Sequence, residues 1–183
     1  MSRHMRSWEL PFADAPRGIC RLCGKPVPKR RSTWCSQACV DEYLIRSNAG
    51  VARAAVWKRD KGCCQICGLD MRPLVAEMKK IERFWRTKFR IANVNSGDGT
   101  RKQIRQAQQQ WLRQHGHQLP VHLYEADHIR PVVEGGGGCG LDNLRLLCCR
   151  CHRRETAKLA ARLARQRRRA GRLFEGQLPE TRP

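Results

Sequence analysis

Four closely spaced pairs of cysteines constrain this chain more than any other feature. Cys20 and Cys23, Cys64 and Cys67, and Cys148 and Cys151 are each separated by two residues, and Cys35 and Cys39 by three. Such a pair can present two thiolates to one ion. Four pairs make two tetrahedral sites of four thiolates each, the arrangement that structural zinc prefers. Disulfides are the competing reading. Against them, the 11 cysteines are odd in number, and Met1 to Arg17 is polar, with Glu9, Asp14 and three arginines where a signal peptide would carry an apolar core. A reducing, cytoplasmic setting is therefore expected, where stable disulfides are rare. Cys63, Cys139 and Cys149 fall outside the pairs and read as small packing residues or free thiols.

The pairs divide the chain. Residues 1–18, with Pro11, Pro16 and Gly18 and no apolar period, read as a flexible tail. Residues 19–46 read as an N-terminal zinc module: Gly24 suits the turn of a knuckle, and Ser36 is a candidate N-cap for a short helix through Leu44 that carries Cys39. A unit this short cannot bury a self-sufficient core, so the metal supplies folding energy, on the order of 10–16 kcal/mol in zinc-finger peptides. Residues 47–60 read as a connecting helix. A second cysteine-bearing domain spans 61–160 and is interrupted by an insertion over 72–119. There, Leu74, Met78, Ile81 and Trp85, and then Ile104, Trp111 and His115, repeat at helical spacing around a break from Asn93 to Thr100. Two helices forming an αα-hairpin are expected, acting as a spacer or brace. Val121 to Pro131 and Leu144 to Leu147 read as strands, separated by a loop containing Gly135 to Gly138. A helix begins near Cys149 and runs on from Arg153 to Arg172, giving a basic C-terminal helix and tail over 161–183.

Charge narrows the function. Lys and Arg number 37 against 16 Asp and Glu, a formal net charge of +21. An excess of this size predicts a polyanionic partner, and nucleic acid is the commonest. No run approaches the roughly 20 apolar residues of a membrane span, so no membrane partner is expected.

The chemistry concentrates in Asp127-His128-Ile129, Asn143 and Cys148-x-x-Cys151-His152. Phosphodiester hydrolysis needs an activated water and relief of charge on the scissile phosphate. A neutral imidazole at His128 can take a proton from water near neutral pH. Asp127 offers the oxygen that a hard divalent cation favours, and an imidazole at His152 widens the choice of metal. Adjacent residues of a regular strand face opposite ways, so Asp127 and His128 are expected at a strand end or distorted turn. Asn143 can hold that loop by side-chain-to-backbone hydrogen bonds. Cys151 would fix, through its metal, the start of the helix that carries His152. Arg130, Arg145, Arg150, Arg153 and Arg154 are candidate phosphate contacts, since guanidinium matches phosphate bidentately. His4, His115, His117 and His122 read as surface or helix-end residues.

Asp127-His128-Ile129-Arg130-Pro131, the Gly-rich loop, Leu141-Asp142-Asn143-Leu144-Arg145 and Leu147-Cys148-x-x-Cys151-His152, together with Trp57-Lys58-Arg59-Asp60 and Cys64/Cys67, resemble the HNH endonuclease signature. The resemblance covers about residues 55–72 and 120–160. It is strongest to standalone bacterial and phage HNH proteins and to the nuclease domain appended to eukaryotic annealing helicases. It implies an α+β fold: a small ββα-metal core stapled by a four-cysteine zinc site, with the hairpin as an insertion and the N-terminal four-cysteine module separate. His128 would be the general base, Asn143 would orient its loop, and Asp127 and His152 would hold a divalent cation (Mg²⁺, Mn²⁺, Ni²⁺ or Zn²⁺). Cys64, Cys67, Cys148 and Cys151 would bind one structural zinc, leaving Cys20, Cys23, Cys35 and Cys39 for the other. The expected activity is metal-dependent hydrolysis of DNA by a protein of a bacterial cell or a phage. Two alternatives stand beside it: a non-catalytic zinc-dependent DNA-binding module, and an accessory protein of phage packaging that partners a terminase.

Overall fold

A computed structural model describes residues 4–92 and 98–175. Among these residues, five α-helices and two strands are ordered α1 (Gln37–Ser47), α2 (Ala49–Arg59), α3 (Arg72–Ile91), α4 (Asp98–Gln114), β1 (Tyr124–His128), β2 (Leu144–Cys148) and α5 (Cys149–Glu175). β1 and β2 form an antiparallel pair with Tyr124 opposite Cys148, Asp127 opposite Arg145 and His128 opposite Leu144. The fold is therefore mixed, with helices around one small sheet.

Local sequence sets most boundaries. The Ser36 side chain accepts a hydrogen bond from the Cys39 amide and starts α1. Asn48 separates α1 from α2, and its side chain accepts from the Gly50 and Val51 amides. Pro73 lies in the first turn of α3, where its missing N–H costs no helical bond. The expected break between the insertion helices falls partly on 93–97, outside the described residues, and α4 is already under way at Asp98.

β1 is shorter than the strand expected over Val121 to Pro131. Its ladder ends after His128 because the Asn143 side chain claims the backbone of Arg130 instead. It starts no earlier than Tyr124 because its partner strand, β2, turns directly into α5 at Cys149.

The core has two parts. In the first, Ala52 and Val56 of α2 pack with Leu144, Leu146 and Leu147 of β2 and with Cys64, Met71, Cys148 and Cys151. α2 thus contributes to the core through Ala52 and Val56. Arg59 and Asp60 at its end also hold the sheet: Arg59 donates to the Leu141 and Leu144 carbonyls, and the Asp60 carboxylate accepts from the Leu146 amide at 2.8 Å. In the second part, Leu74, Met78, Leu112, Leu119 and Leu123 tie the base of the α3–α4 hairpin to the approach to β1.

Residues 4–18 depart from the expected flexible tail. Leu10 is buried, and the Met5 amide donates to Arg46 and the Phe12 amide to Arg21. The Phe12 ring sits so close to Gly24 that a Cβ there would lie 2.8 Å from it. At the other end, α5 extends the basic helix to Glu175, and 176–183 lie outside the described residues.

Candidate active site and metal clusters

The expected cysteines come together in two groups. Cys20, Cys23, Cys35 and Cys39 form one, and Cys64, Cys67, Cys148 and Cys151 the other, with all ligand atoms of a group within 4.8 Å of one another. Four sulfurs around a zinc ion at ~2.3 Å are ~3.8 Å apart. In the first group the Cys23, Cys35 and Cys39 sulfurs are separated by 3.4, 3.6 and 3.7 Å. In the second, those of Cys67 and Cys148 are 3.8 Å apart. Both groups could hold zinc. Gly24 and Gly68 follow the second cysteine of the Cys20/Cys23 and Cys64/Cys67 turns, and both adopt φ +71°.

The backbone favours the thiolate at the first cysteine of each knuckle, whereas burial and neighbouring cysteine side chains raise Cys23, Cys39, Cys148 and Cys151. Burial raises the Cys64 thiol, but backbone groups of Cys148, Cys67 and Ile66 hydrogen-bond to it and bring it down to about 7. Cys20 is likewise lowered to about 6, burial being outweighed by backbone groups of Cys35, Cys23 and Leu22. Of the leftover cysteines, Cys149 is buried with its thiol against the His122 carbonyl, and burial raises it to about 11.

The strand end meets the helix start beside the second cluster. Asp127 and His128 are the last residues of β1, and His152 lies in the first turn of α5, one residue beyond Cys151. All three line one cleft of about 810 Å³. Asp127 Oδ1 lies 3.8 Å from His152 Nε2. That is too long for a hydrogen bond. Two ligand atoms each ~2.1 Å from a shared cation can be at most ~4.2 Å apart, so the pair fits a common ion. The other carboxylate oxygen, Oδ2, accepts from Arg145 Nε at 3.0 Å, and Arg145 also reaches Glu155 at 3.4 Å.

Asn143 is tied to the loop that follows His128. Its Oδ1 accepts from the Arg130 amide at 2.8 Å, and its Nδ2 donates to the carbonyls of Arg130 and Gly136 at 3.2 and 3.1 Å. The Ile129 amide donates in turn to the Asn143 carbonyl. The closure demands glycine at 136, where a Cβ would lie 1.8 Å from the Arg130 carbonyl oxygen.

The five candidate arginines separate. Arg130 is exposed and lines the cleft, whereas Arg145 is committed to Asp127 and Glu155. Arg150, Arg153 and Arg154 are exposed on faces of α5 that do not line the cleft, and Arg154 reaches the Cys151 sulfur at 3.7 Å. The cations that do line it include Arg46, Arg53, Lys158 and Arg162, which the sequence reading did not single out. Helical spacing could have found two of them, since Thr156, Leu159 and the adjacent Lys158 and Arg162 follow His152 along one side of α5.

Residues 115–158, which hold this entire strand–loop–strand–helix arrangement, match the family model for HNH endonuclease. The chain carries an HNH endonuclease domain. Similarity extends over most of its length to the mouse "DNA annealing helicase and endonuclease ZRANB3", with 35% identity over 161 residues covering 83% of this chain and 14% of that protein. The human protein of the same name is 31% identical over 159 residues, covering 82% and 14%. This chain thus spans about 14% of the length of the curated relatives it matches. Among solved structures, the crystal structure of the human ZRANB3 HNH domain shares 28% identity, covers 67% of this chain and 97% of that one, and has a TM-score of 0.39. The match to the HNH endonuclease model and to these relatives supports a nuclease-related or DNA-related role.

Proposed function

We propose that this HNH domain is a metal-dependent endonuclease that hydrolyses phosphodiester bonds in DNA, with both four-cysteine clusters holding structural zinc. The observation that carries the reading is the convergence of Asp127 Oδ1 and His152 Nε2 at 3.8 Å, beside His128, in a cleft rimmed by cations. Asp127 and His152 would hold a divalent cation, which supplies Lewis acidity toward the scissile phosphate when bound. The carboxylate and imidazole donors suit Mg²⁺ or Mn²⁺ and, through the nitrogen, Ni²⁺ or Zn²⁺.

The chain's own residues do the rest. His128 accepts the proton of the attacking water. Asn143 fixes the backbone on the C-terminal side of His128, so the imidazole is held from a braced loop. Arg145 fixes the Asp127 carboxylate from the side facing away from His152. Arg130, together with Lys158 and Arg162 once these exchange Glu155 and Glu134 for the substrate, meets the phosphates that flank the cut. Binding should weaken with salt: if roughly six phosphates are neutralised, log K falls against log salt with a slope of about −5.

The test is cleavage of supercoiled plasmid by zinc-loaded wild type and His128→Ala, each with Mg²⁺, Mn²⁺, Ni²⁺ or no added cation. Wild type is expected to nick or linearise the plasmid only with added cation. His128→Ala should lose about 10²–10⁴-fold in rate while still retarding DNA in a gel. Full cleavage by His128→Ala would overturn the assigned base. Retardation without cleavage by either protein under every cation would favour a non-catalytic DNA-binding module.

A further inference from the structure

The α3–α4 hairpin carries a surface that the cleft chemistry does not use. At its base the hairpin is packed: Leu74, Met78 and Leu112 are buried, and the Gln108 side chain donates to the Met78 carbonyl. Further along α3 the character changes. Phe84 is 62% exposed and Ile91 79%, large values for apolar side chains on one helix. Phe84 meets Trp85 edge-on at 5.9 Å, and Trp85 stacks on Phe89 at 5.6 Å. Phe84 also divides two shallow clefts. One, of about 380 Å³, runs between the helices and is lined by Phe84, Trp85, Gln110, Gln114 and Trp111, one face of whose ring stacks on His115 at 4.0 Å. The other, of about 640 Å³, lies along α3 beside Lys80, Arg83, Lys88 and Ile91.

The electrostatics of this face have one sign. Its two glutamates are already paired, Glu77 with Lys80 and Glu82 with Arg86. Lys88 lies over the Trp85 ring at 5.1 Å. Among the described residues, Arg83 and Arg90 have no carboxylate within ion-pair distance. A brace would need none of this, since aromatic rings left in water gain nothing for the fold. Exposed rings between cations, with side-chain amides at the edge of the slot, are the elements from which unpaired nucleobases are held: rings stack on bases, amides meet base edges, and cations meet the backbone.

We infer that the outer half of the hairpin is a second nucleic-acid site, which binds unpaired bases of a DNA strand by stacking on Phe84 and the Trp85–Trp111 slot. This rests on the proposed action on DNA and specifies its substrate: DNA with a single-stranded segment is bound more tightly than blunt duplex. The occupant is a nucleic acid rather than an apolar protein surface because the apolar strip is narrow and its unpaired charge is wholly positive.

The test is fluorescence anisotropy of labelled DNA with zinc-loaded full chain and no added divalent cation. Blunt duplex is compared with the same duplex bearing an unpaired flap. Phe84 is exposed, so its replacement leaves the packed base of the hairpin intact. Phe84→Ala should weaken flap binding about tenfold, the loss of about 1.4 kcal/mol expected for one stacked base, and duplex binding less than twofold. Phe84→Leu keeps apolar area but not the ring and should behave like Phe84→Ala, whereas Phe84→Trp should restore the flap preference. Retained preference in Phe84→Leu, or equal losses on flap and duplex, would overturn the proposal. So would a wild-type dimer in sedimentation that Phe84→Ala separates, because the face would then be occupied by a second copy. The measurement needs no turnover, so a chain that never cuts DNA can still pass it, and a chain that cuts normally can still fail it.

Discussion

The two cysteine clusters have the same ligands and the same knuckle turn, yet they sit in different surroundings. The cluster of Cys64, Cys67, Cys148 and Cys151 is built into the first part of the core. Three of its four members are buried, and they pack with Val56, Met71, Leu146 and Leu147. The cluster of Cys20, Cys23, Cys35 and Cys39 has one buried member. Between residues 4 and 48, Leu10 is the only other buried hydrophobic among the described residues. One cluster reinforces a core that apolar burial already favours, while the other replaces a core that the chain is too short to build. The chemistry follows the same division. Cys148 and Cys151 flank the strand-to-helix corner that presents His152, whereas the N-terminal part of the chain reaches the cleft through His4, Ile45 and Arg46, the last paired with Glu42.

The comparison can be broken most directly at its stronger member. Cys148→Ser should remove the core cluster, with a loss on the order of 10 kcal/mol, comparable to the whole stability of a small domain. Loss of the cooperative melt and of one equivalent of zinc, read by calorimetry and a chelator assay, is expected. A cooperative melt retained within a few degrees would show that the second cluster is no more integral than the first. Cys35→Ser should also release one equivalent of zinc but leave the core transition in place. Amide exchange should then rise over residues 4–48 and stay protected in β2. Exposure of β2 in this variant would show that the module supports the core.

A subtler probe separates the core cysteine cluster from the sheet beside it. The Asp60 side chain is 7% exposed, and burial would raise its pKa, but the Arg59 guanidinium and the Leu146 amide hold it below the usual carboxylate range. Its contribution is therefore present above the unfolded value near pH 4 and lost as pH falls through the lower folded value. Asp60→Asn should cost about 2 kcal/mol at neutral pH, with the deficit shrinking on acidification below about pH 4. A deficit independent of pH would show that shape, not charge, holds α2 to β2. The smallest effect is expected at Ser36→Ala, about 1 kcal/mol from the lost cap of α1. It should appear as looser zinc retention in the N-terminal module with an unchanged core melt.

Local signals were legible in the sequence, and long-range electrostatics were not. The cysteine spacings, the Ser36 cap and the periodic runs of α3 and α4 depend on neighbours within a few residues, and the structure has them where the sequence reading expects. Asp127, His128 and His152 line one cleft and Asn143 braces the loop after His128, and their roles there are the proposal made above. The carboxylate partner of Arg145 could not be read, because an arginine looks the same whether it grips a phosphate or, as here, Asp127 across the ladder. The seating of residues 4–18 was hidden for a related reason. That segment has no apolar period, and single contacts such as Leu10 and the Phe12–Gly24 approach have no repeat to betray them.

β2 passes into α5 with no residue between Cys148 and Cys149. A helix turns about 100° per residue. One codon gained or lost between Cys148 and His152 would thus swing the imidazole to another side of α5, away from Asp127, even with every other residue of the site retained. Length variation can accumulate at the hairpin tip, far along the chain from that corner, whereas this four-residue count is a frame that descendants of the sequence can change only by giving up the site.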